Sequence, residues 1–198
     1  ILQRTLDINV KNNQGNTPLH LAIKKAEAGK QILTRVLQLL KYGANPNIKY
    51  PDGAYPLFTG LRNVRPWGYR LVSVLLEHGA RTNVEDSSDF PGWTPLMWVI
   101  RYDNSSYQVD KVKELLEHGA EVFTPRRKGG FSGRHKDYNG WTALHGAAEE
   151  GNLDIVKLLL NYGAGSNKEY TSKIYSEGKF REWTALHVMD HLPSNKKM

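Results

Sequence analysis

The chain has 198 residues, 39% hydrophobic and 24% charged, the balance of an ordinary globular domain with enough apolar side chain to build a core. It contains no apolar run of the roughly 18 residues that a membrane helix needs, and without cysteine it has no disulfide, thiolate metal ligand or thiol nucleophile. Lys and Arg number 27 against 20 Asp and Glu, a formal charge of +7 that suits an acidic protein, nucleic acid or an anionic surface without choosing among them. The opening ILQRTLDINV lacks the basic, apolar and small-residue succession of a secretory leader, so an intracellular location, cytoplasm or nucleus, is expected.

Along the chain, Ile8-Asn9-Val10-Lys11 reads as the tail of a repeat. Thr17-Pro18-Leu19-His20 then opens a helix. Proline is tolerated in a first helical turn, where its missing N–H would be unpaired anyway, and the threonine before it can cap the free donors. A second helix closes at Leu39-Leu40-Lys41-Tyr42-Gly43-Ala44, where glycine supplies the left-handed residue that ends it. The same two themes recur as Tyr55-Pro56-Leu57-Phe58 with Leu75-Leu76-Glu77-His78-Gly79-Ala80, then as Thr94-Pro95-Leu96-Met97 with Leu115-Leu116-Glu117-His118-Gly119-Ala120. They return as Thr142-Ala143-Leu144-His145 with Leu159-Leu160-Asn161-Tyr162-Gly163-Ala164. Between that last pair, Leu153, Val156, Leu159 and Leu160 form an apolar stripe at three-and-four spacing. One helical hairpin cannot hide such a stripe, so stacking on neighbours is expected. Thr184-Ala185-Leu186-His187 opens a fifth repeat that Leu192-Pro193-Ser194 interrupts before a second helix. Both ends therefore read as cut from something longer, with atypical polar caps as the alternative. Successive openings lie 38, 39, 48 and 42 residues apart. The extra length is expected in loops at 26–31, 63–68 and 103–107 and in projecting segments at 121–136 and 165–182.

The segment from Asp137-Tyr138-Asn139-Gly140-Trp141 through Thr142-Ala143-Leu144-His145 to Leu160 closely resembles an ankyrin repeat, and the resemblance extends over almost the whole chain. It implies an all-α ankyrin-repeat solenoid of helix-turn-helix repeats with β-turn or hairpin fingers, about four full repeats with partial repeats at the ends. On that reading 1–198 is one domain: 1–11 end a preceding repeat or cap the array, and repeats follow at 12–49, 50–85, 86–136, 137–178 and, in part, 179–198. The resemblance also implies that His20, His145 and His187 hydrogen-bond the finger backbone. Tyr55 and Phe58 stand where Thr and His would supply those bonds, which weakens the turn of repeat two. Ankyrin arrays are protein-binding scaffolds, so the implied partner is another protein or peptide, an acidic one being a candidate, with no cofactor and no membrane, and a monomer is expected in isolation.

Aligning the repeats places aromatics at the same two turn positions three times: Phe90 and Trp93, Tyr138 and Trp141, Phe180 and Trp183. In the family these positions face the concave palm, so they would form a ladder bordered by Trp98, Arg101 and Tyr102 on one first helix and Glu149 on the next. Aromatic clusters carry large apolar area at low entropy cost and dominate interfaces. Each ring could equally pack on the next finger and stiffen it, and the two roles are compatible. The finger 125–136 adds Arg126, Arg127, Lys128, Arg134 and Lys136 around Phe131, suited to a solvated loop, an acidic protein, or phosphates with Phe131 stacking on a base. The alternative function is thus a chromatin or nucleic-acid reader within a larger regulatory protein. Gly92-Trp93-Thr94-Pro95-Leu96-Met97-Trp98 also resembles part of the methyl-lysine cage in the ankyrin domains of certain histone lysine methyltransferases, which holds a cation by its attraction to ring faces. Here that family's acidic residue one turn later is Arg101 and its next Trp is Gly146, so a cation at the rim opposes the cage.

No catalytic or metal site is expected. His78 and His118 sit at helix C-termini, where partial positive charge is favoured. His187 and His191, four apart, lack a third ligand. Gly129-Gly130-Phe131-Ser132-Gly133 has no helix after it to cradle a phosphate, and no serine elbow or paired carboxylates with a plausible cleft are found.

Overall fold

The computed structural model describes residues 7–25, 31–85, 92–124 and 142–164, and among these it contains eight α-helices and no strand. The helices are α1 (Pro18–Lys25), α2 (Gln31–Lys41), α3 (Pro56–Arg62), α4 (Pro66–Glu77), α5 (Pro95–Tyr102), α6 (Gln108–Glu117), α7 (Ala143–Glu149) and α8 (Leu153–Asn161). Each first helix begins at the expected Pro or Ala. Each second helix ends at the expected glycine, with Gly43, Gly79, Gly119 and Gly163 at φ of 90°, 82°, 82° and 87°, a region open to glycine and strained for other residues. The fold is an all-α repeat, as the anchors imply.

The contacts divide the chain into two compact units, residues 1–81 and 82–198. In the first, α1 pairs with α2 and α3 with α4, and α1 also packs beside α3 and α2 beside α4. Its core holds Leu19, Ile23, Val36, Leu40, Leu57, Phe58, Leu61, Leu71, Val72 and Leu75. The α3–α4 pair closes on glycine. A Cβ on Gly68 would stand 2.5 Å from the Asn63 carbonyl oxygen, and one on Gly60 would stand 2.9 Å from a Val72 methyl. The connection expected at 63–68 is shorter than the spacing suggests, only 63–65. Pro66 starts α4 with its fixed φ, drawing Trp67 and Gly68 into the first turn.

His20 latches the first repeat. Its Nδ1 accepts from the Thr17 N–H at 3.1 Å and its Nε2–H donates to the Ile48 carbonyl at 2.8 Å, which together require the neutral ring. Burial lowers its pKa below the ordinary 6.5, and nearby Lys24 and Lys11 lower it further, against the opposing Ile48 hydrogen bond and Asp52. The buried Tyr50 ring lies 4.2 Å away, its own hydroxyl pushed up to about 12 by the same desolvation. In repeat two, Phe58 is fully buried at the latch position and Tyr55 makes no side-chain cap. Apolar packing there stands in for the hydrogen bonds.

In the second unit α5 pairs with α6 and α7 with α8, while α5 also packs beside α7 and α6 beside α8. Leu96, Val99, Ile100, Val112, Leu115, Ala147, Ile155 and Leu159 form its core. The stripe expected on α8 is rotated. Ile155, Val156 and Leu159 are buried, whereas Leu153 and Leu160 are 40% and 45% exposed, because they lie roughly 100° further round the helix. An ion pair sits inside this unit: Lys111 Nζ lies 2.8 Å from Asp103 Oδ2 with both side chains fully buried, and Asp103 Oδ1 also accepts from the Ser105 N–H at 2.8 Å. Gln108 ties three elements, donating to the Val99 and Ile100 carbonyls at 3.0 and 3.1 Å and accepting from Asn152 at 3.2 Å.

Asparagines clamp consecutive repeats at their second-helix ends. Asn47 accepts from the Arg81 N–H at 2.8 Å and donates to the Gly79 carbonyl at 2.8 Å. Asn83 does the same to Glu121 and Gly119 at 2.8 and 3.0 Å, and Asn9 accepts from the Asn45 N–H at 2.8 Å. His78 and His118 close α4 and α6 by donating Nδ1–H to the Val74 and Glu114 carbonyls at 2.9 and 2.8 Å.

Two outcomes follow. Lys111→Met leaves the Asp103 carboxylate buried without its cation and is expected to cost about 3–5 kcal/mol in chemical denaturation; adding Asp103→Leu should recover most of that loss. Because folding lowers the His20 pKa, the unfolded chain binds the proton more readily. The stability this residue contributes is complete above pH 6.5 and is lost as the pH falls from there through the folded value. His20→Asn should flatten that part of the pH dependence, read from urea midpoints at about pH 7.5 and about pH 5.

Candidate partner-binding surface

Residues 92–102 hold one of the aligned turn aromatics, Trp93, with the bordering Trp98 and Tyr102. Thr94 caps α5 by accepting from the Met97 N–H at 3.3 Å, which leaves Trp93 just outside the helix and sets Trp98 and Tyr102 four residues apart on one of its faces. The Trp93 and Tyr102 rings are 5.1 Å apart at 57° and the Trp98 and Tyr102 rings 5.9 Å apart at 40°, tilted contacts with Tyr102 in the middle. Trp93 and Trp98 are only 6% and 7% exposed, so most of their area is spent on packing and their edges remain. Tyr102 is half-buried.

Arg101 reaches from α5 to α7. Its Nη1 pairs with Glu150 and its Nε faces Glu149 Oε2 at 3.8 Å, all three side chains being about 30% exposed or less open. Arg101 is therefore a neutralised cation held across two neighbouring first helices. Glu150 is the partner that sequence reasoning overlooked. The alignment signals only its neighbour, since Arg101 and Glu149 hold the same register position, seven residues after the opening threonine, and Glu150 lies one residue beyond it.

A recess of about 10 Å³, room for a single water, opens between these helices. Trp93, Met97, Ile100 and Arg101 line one side and Thr142, Ala143 and Gly146 the other. A Cβ on Gly146 would stand 3.3 Å from an Ile100 methyl, so its absence keeps the floor open. At the start of α7 the His145 Nδ1 contacts the Thr142 N–H at 3.3 Å and the Thr142 hydroxyl at 2.9 Å, repeating the capping role of His20.

Trp93, Trp98, Arg101, Tyr102 and Glu149 thus come together. Phe90, Tyr138, Trp141, Phe180 and Trp183 lie outside the described residues, as do Arg126, Arg127, Lys128, Arg134 and Lys136 of the basic finger and the pair His187 and His191. Among the described residues no cluster of three His, Asp or Glu side chains is placed to hold a metal ion, and no helix is long and apolar enough to cross a membrane.

A family model for ankyrin repeats, in three copies, matches residues 26–126, 66–170 and 127–189. Among curated proteins, the chain is 27% identical over 84% of its length to the ankyrin repeat domain-containing protein M-T5 of Myxoma virus. It is 34% identical over 81% to protein lin-12 of Caenorhabditis elegans and 31% identical over 77% to NF-kappa-B inhibitor zeta of Bos taurus. It spans 32%, 10% and 18% of those proteins' own lengths. The three family matches together run from residue 26 to residue 189, and the chain belongs to the ankyrin-repeat family.

Proposed function

We propose that the chain is a non-catalytic docking module that binds a partner protein or peptide on the side of its first helices, centred on Trp93, Trp98, Arg101, Tyr102 and Glu149. Ankyrin repeats generally act as protein–protein interaction modules rather than as catalysts. The more specific reading is carried by the recess beside Trp93, which has an aromatic wall, a floor freed by Gly146 and a rim of paired charges. A partner that inserts a small apolar tip there would meet apolar wall, while Arg101 and its glutamates set the polar contacts around it. Trp, Tyr and Arg are the residues that most often dominate binding energy at such places. On this reading Phe90, Tyr138, Trp141, Phe180 and Trp183 extend the surface, and Arg126, Arg127, Lys128, Arg134 and Lys136 flank it with positive charge. NF-kappa-B inhibitor zeta is, by its name, an inhibitor directed at another protein, a mode of action open to this chain inside the cell, in the cytoplasm or the nucleus.

The buried Trp93 and Trp98 would report on folding as much as on binding, so other positions make the better test. Gly146→Ala adds one methyl to the recess in a residue with higher helix propensity, and Trp141→Ala with Trp183→Ala removes the expected ladder. Affinity capture with the wild-type chain, followed by titration of what it retains, should show at least a tenfold loss of affinity in each variant. A partner held equally by both variants, with their melting temperatures within a few degrees of the wild type, overturns this surface.

A further inference from the structure

Charge and size at the recess beside Trp93 together describe what would enter it. The described residues of the second unit, 82–85, 92–124 and 142–164, hold 4 Lys and Arg against 9 Asp and Glu. Three of those cations already face carboxylates: Lys111 at Asp103, Lys113 at 3.7 Å from Glu117, and Arg101 at Glu149 and Glu150. The rim of the recess keeps the same balance, one guanidinium to two carboxylates, and Glu149 and Glu150 have 31% and 30% of their side chains open to solvent. A charge brought there by a partner is favoured when it is positive.

The size follows from one register position. Four residues after each repeat opening stand Leu21, Thr59 and Trp98 in the first three repeats and Gly146 in the fourth. With no side chain at Gly146, about 10 Å³ is left against Trp93, Met97 and Ile100, enough for a methyl group and too little for an isobutyl group.

We infer that the recess selects, from an extended segment of a partner protein, a side chain of alanine size with a Lys or Arg two residues away. The inference rests on the docking-module reading above and names the chemistry which that surface accepts. Gly146 lies on α7 and Glu150 caps its end, four residues and so about 6 Å further along. In an extended chain, residues two apart point to the same side and stand about 6.6 Å from one another. A methyl seated at Gly146 therefore brings the second side chain to the two carboxylates. Burying that methyl against the apolar wall is worth about fourfold in affinity. A nucleic acid would bring phosphates to a rim on which carboxylates outnumber cations, so a basic peptide is the better fit.

The test titrates the whole 198-residue chain calorimetrically with synthetic peptides that embed Ala-Ser-Arg, Leu-Ser-Arg, Ala-Ser-Gln or Ala-Ser-Glu in Gly and Ser. Wild type should bind the Ala-Ser-Arg peptide at least fivefold more tightly than each of the others. Glu149→Gln with Glu150→Gln should erase the preference for Arg over Gln while keeping that for Ala over Leu. Glu150→Gln alone, which keeps Glu149 beside Arg101, should lower the Arg preference at least twofold, so that a loss of folding in the double variant does not hide the result. Gly146→Ala should erase the preference for Ala over Leu, and Glu117→Gln on α6 should change nothing by more than twofold. A Leu-Ser-Arg peptide that binds wild type as tightly as Ala-Ser-Arg overturns the inference, as does an Arg preference that survives in folded Glu150→Gln. So does a tenfold gain for Ala-Ser-Arg in Arg126→Gln with Arg127→Gln, which would make the chain's own basic finger the occupant. If all four peptides bind alike while a captured partner is still lost in Gly146→Ala, this motif fails and the docking surface stands; a partner held equally by Gly146→Ala and by the Trp141→Ala, Trp183→Ala variant removes the surface itself.

Discussion

Helices of 7 to 12 residues do not hold together in water, because the cost of nucleating each one is not recovered over so few hydrogen bonds. Every helix among the described residues is of that kind, and each is stable only while its apolar side is covered by a neighbour. The consequence is a division of labour. Leu, Ile and Val side chains supply the burial, and polar groups decide how helices and turns meet, within a pair or between pairs: His20 against Ile48, Asn47 against Gly79 and Arg81, Gln108 across α5 and the start of α8, Lys111 against Asp103. The buried ion pair costs desolvation that an apolar pair would not, so its contribution lies in geometry more than in net stability.

The helix boundaries were legible because Pro and Gly act through the backbone and need no context. Pro18, Pro56 and Pro95 start helices, and the four glycines end them, wherever the rest of the chain goes. Burial on α8 was less legible. Leu153 and Leu160 have the right spacing and the right chemistry, yet which side of a helix is covered depends on its neighbours and not on its own sequence. The polar ties were invisible for a related reason. Lys111 within QVDKVKELLE reads as one more solvated charge, and only the position of Asp103, eight residues earlier at the end of α5, turns it into a core residue.

The candidate surface shows the same boundary between local and non-local information. The sequence offers Trp93 as a turn position and Trp98 and Tyr102, one helical turn apart, as its border, and the three rings lie against one another. It did not reveal that the two tryptophans are nearly covered. Arg101 looked like a cation at a rim and is instead half of a charge network, because its partners come 48 and 49 residues later. Aligned register positions, read down the repeats instead of along the chain, would have recovered that pairing.

The bonds that the asparagine clamps share are to main-chain atoms, and Asn83 adds a 3.5 Å contact to Glu121 Oε1. Asn47 and Asn83 make the same two bonds, but one grips the backbone of Arg81 and the other that of Glu121, residues of opposite sign. Joints whose common bonds are to the main chain make repeats interchangeable parts: outward-facing residues can be rewritten, one repeat basic and the next acidic, while the stacking beneath them is preserved. Such an architecture lets new recognition surfaces evolve without renegotiating the fold.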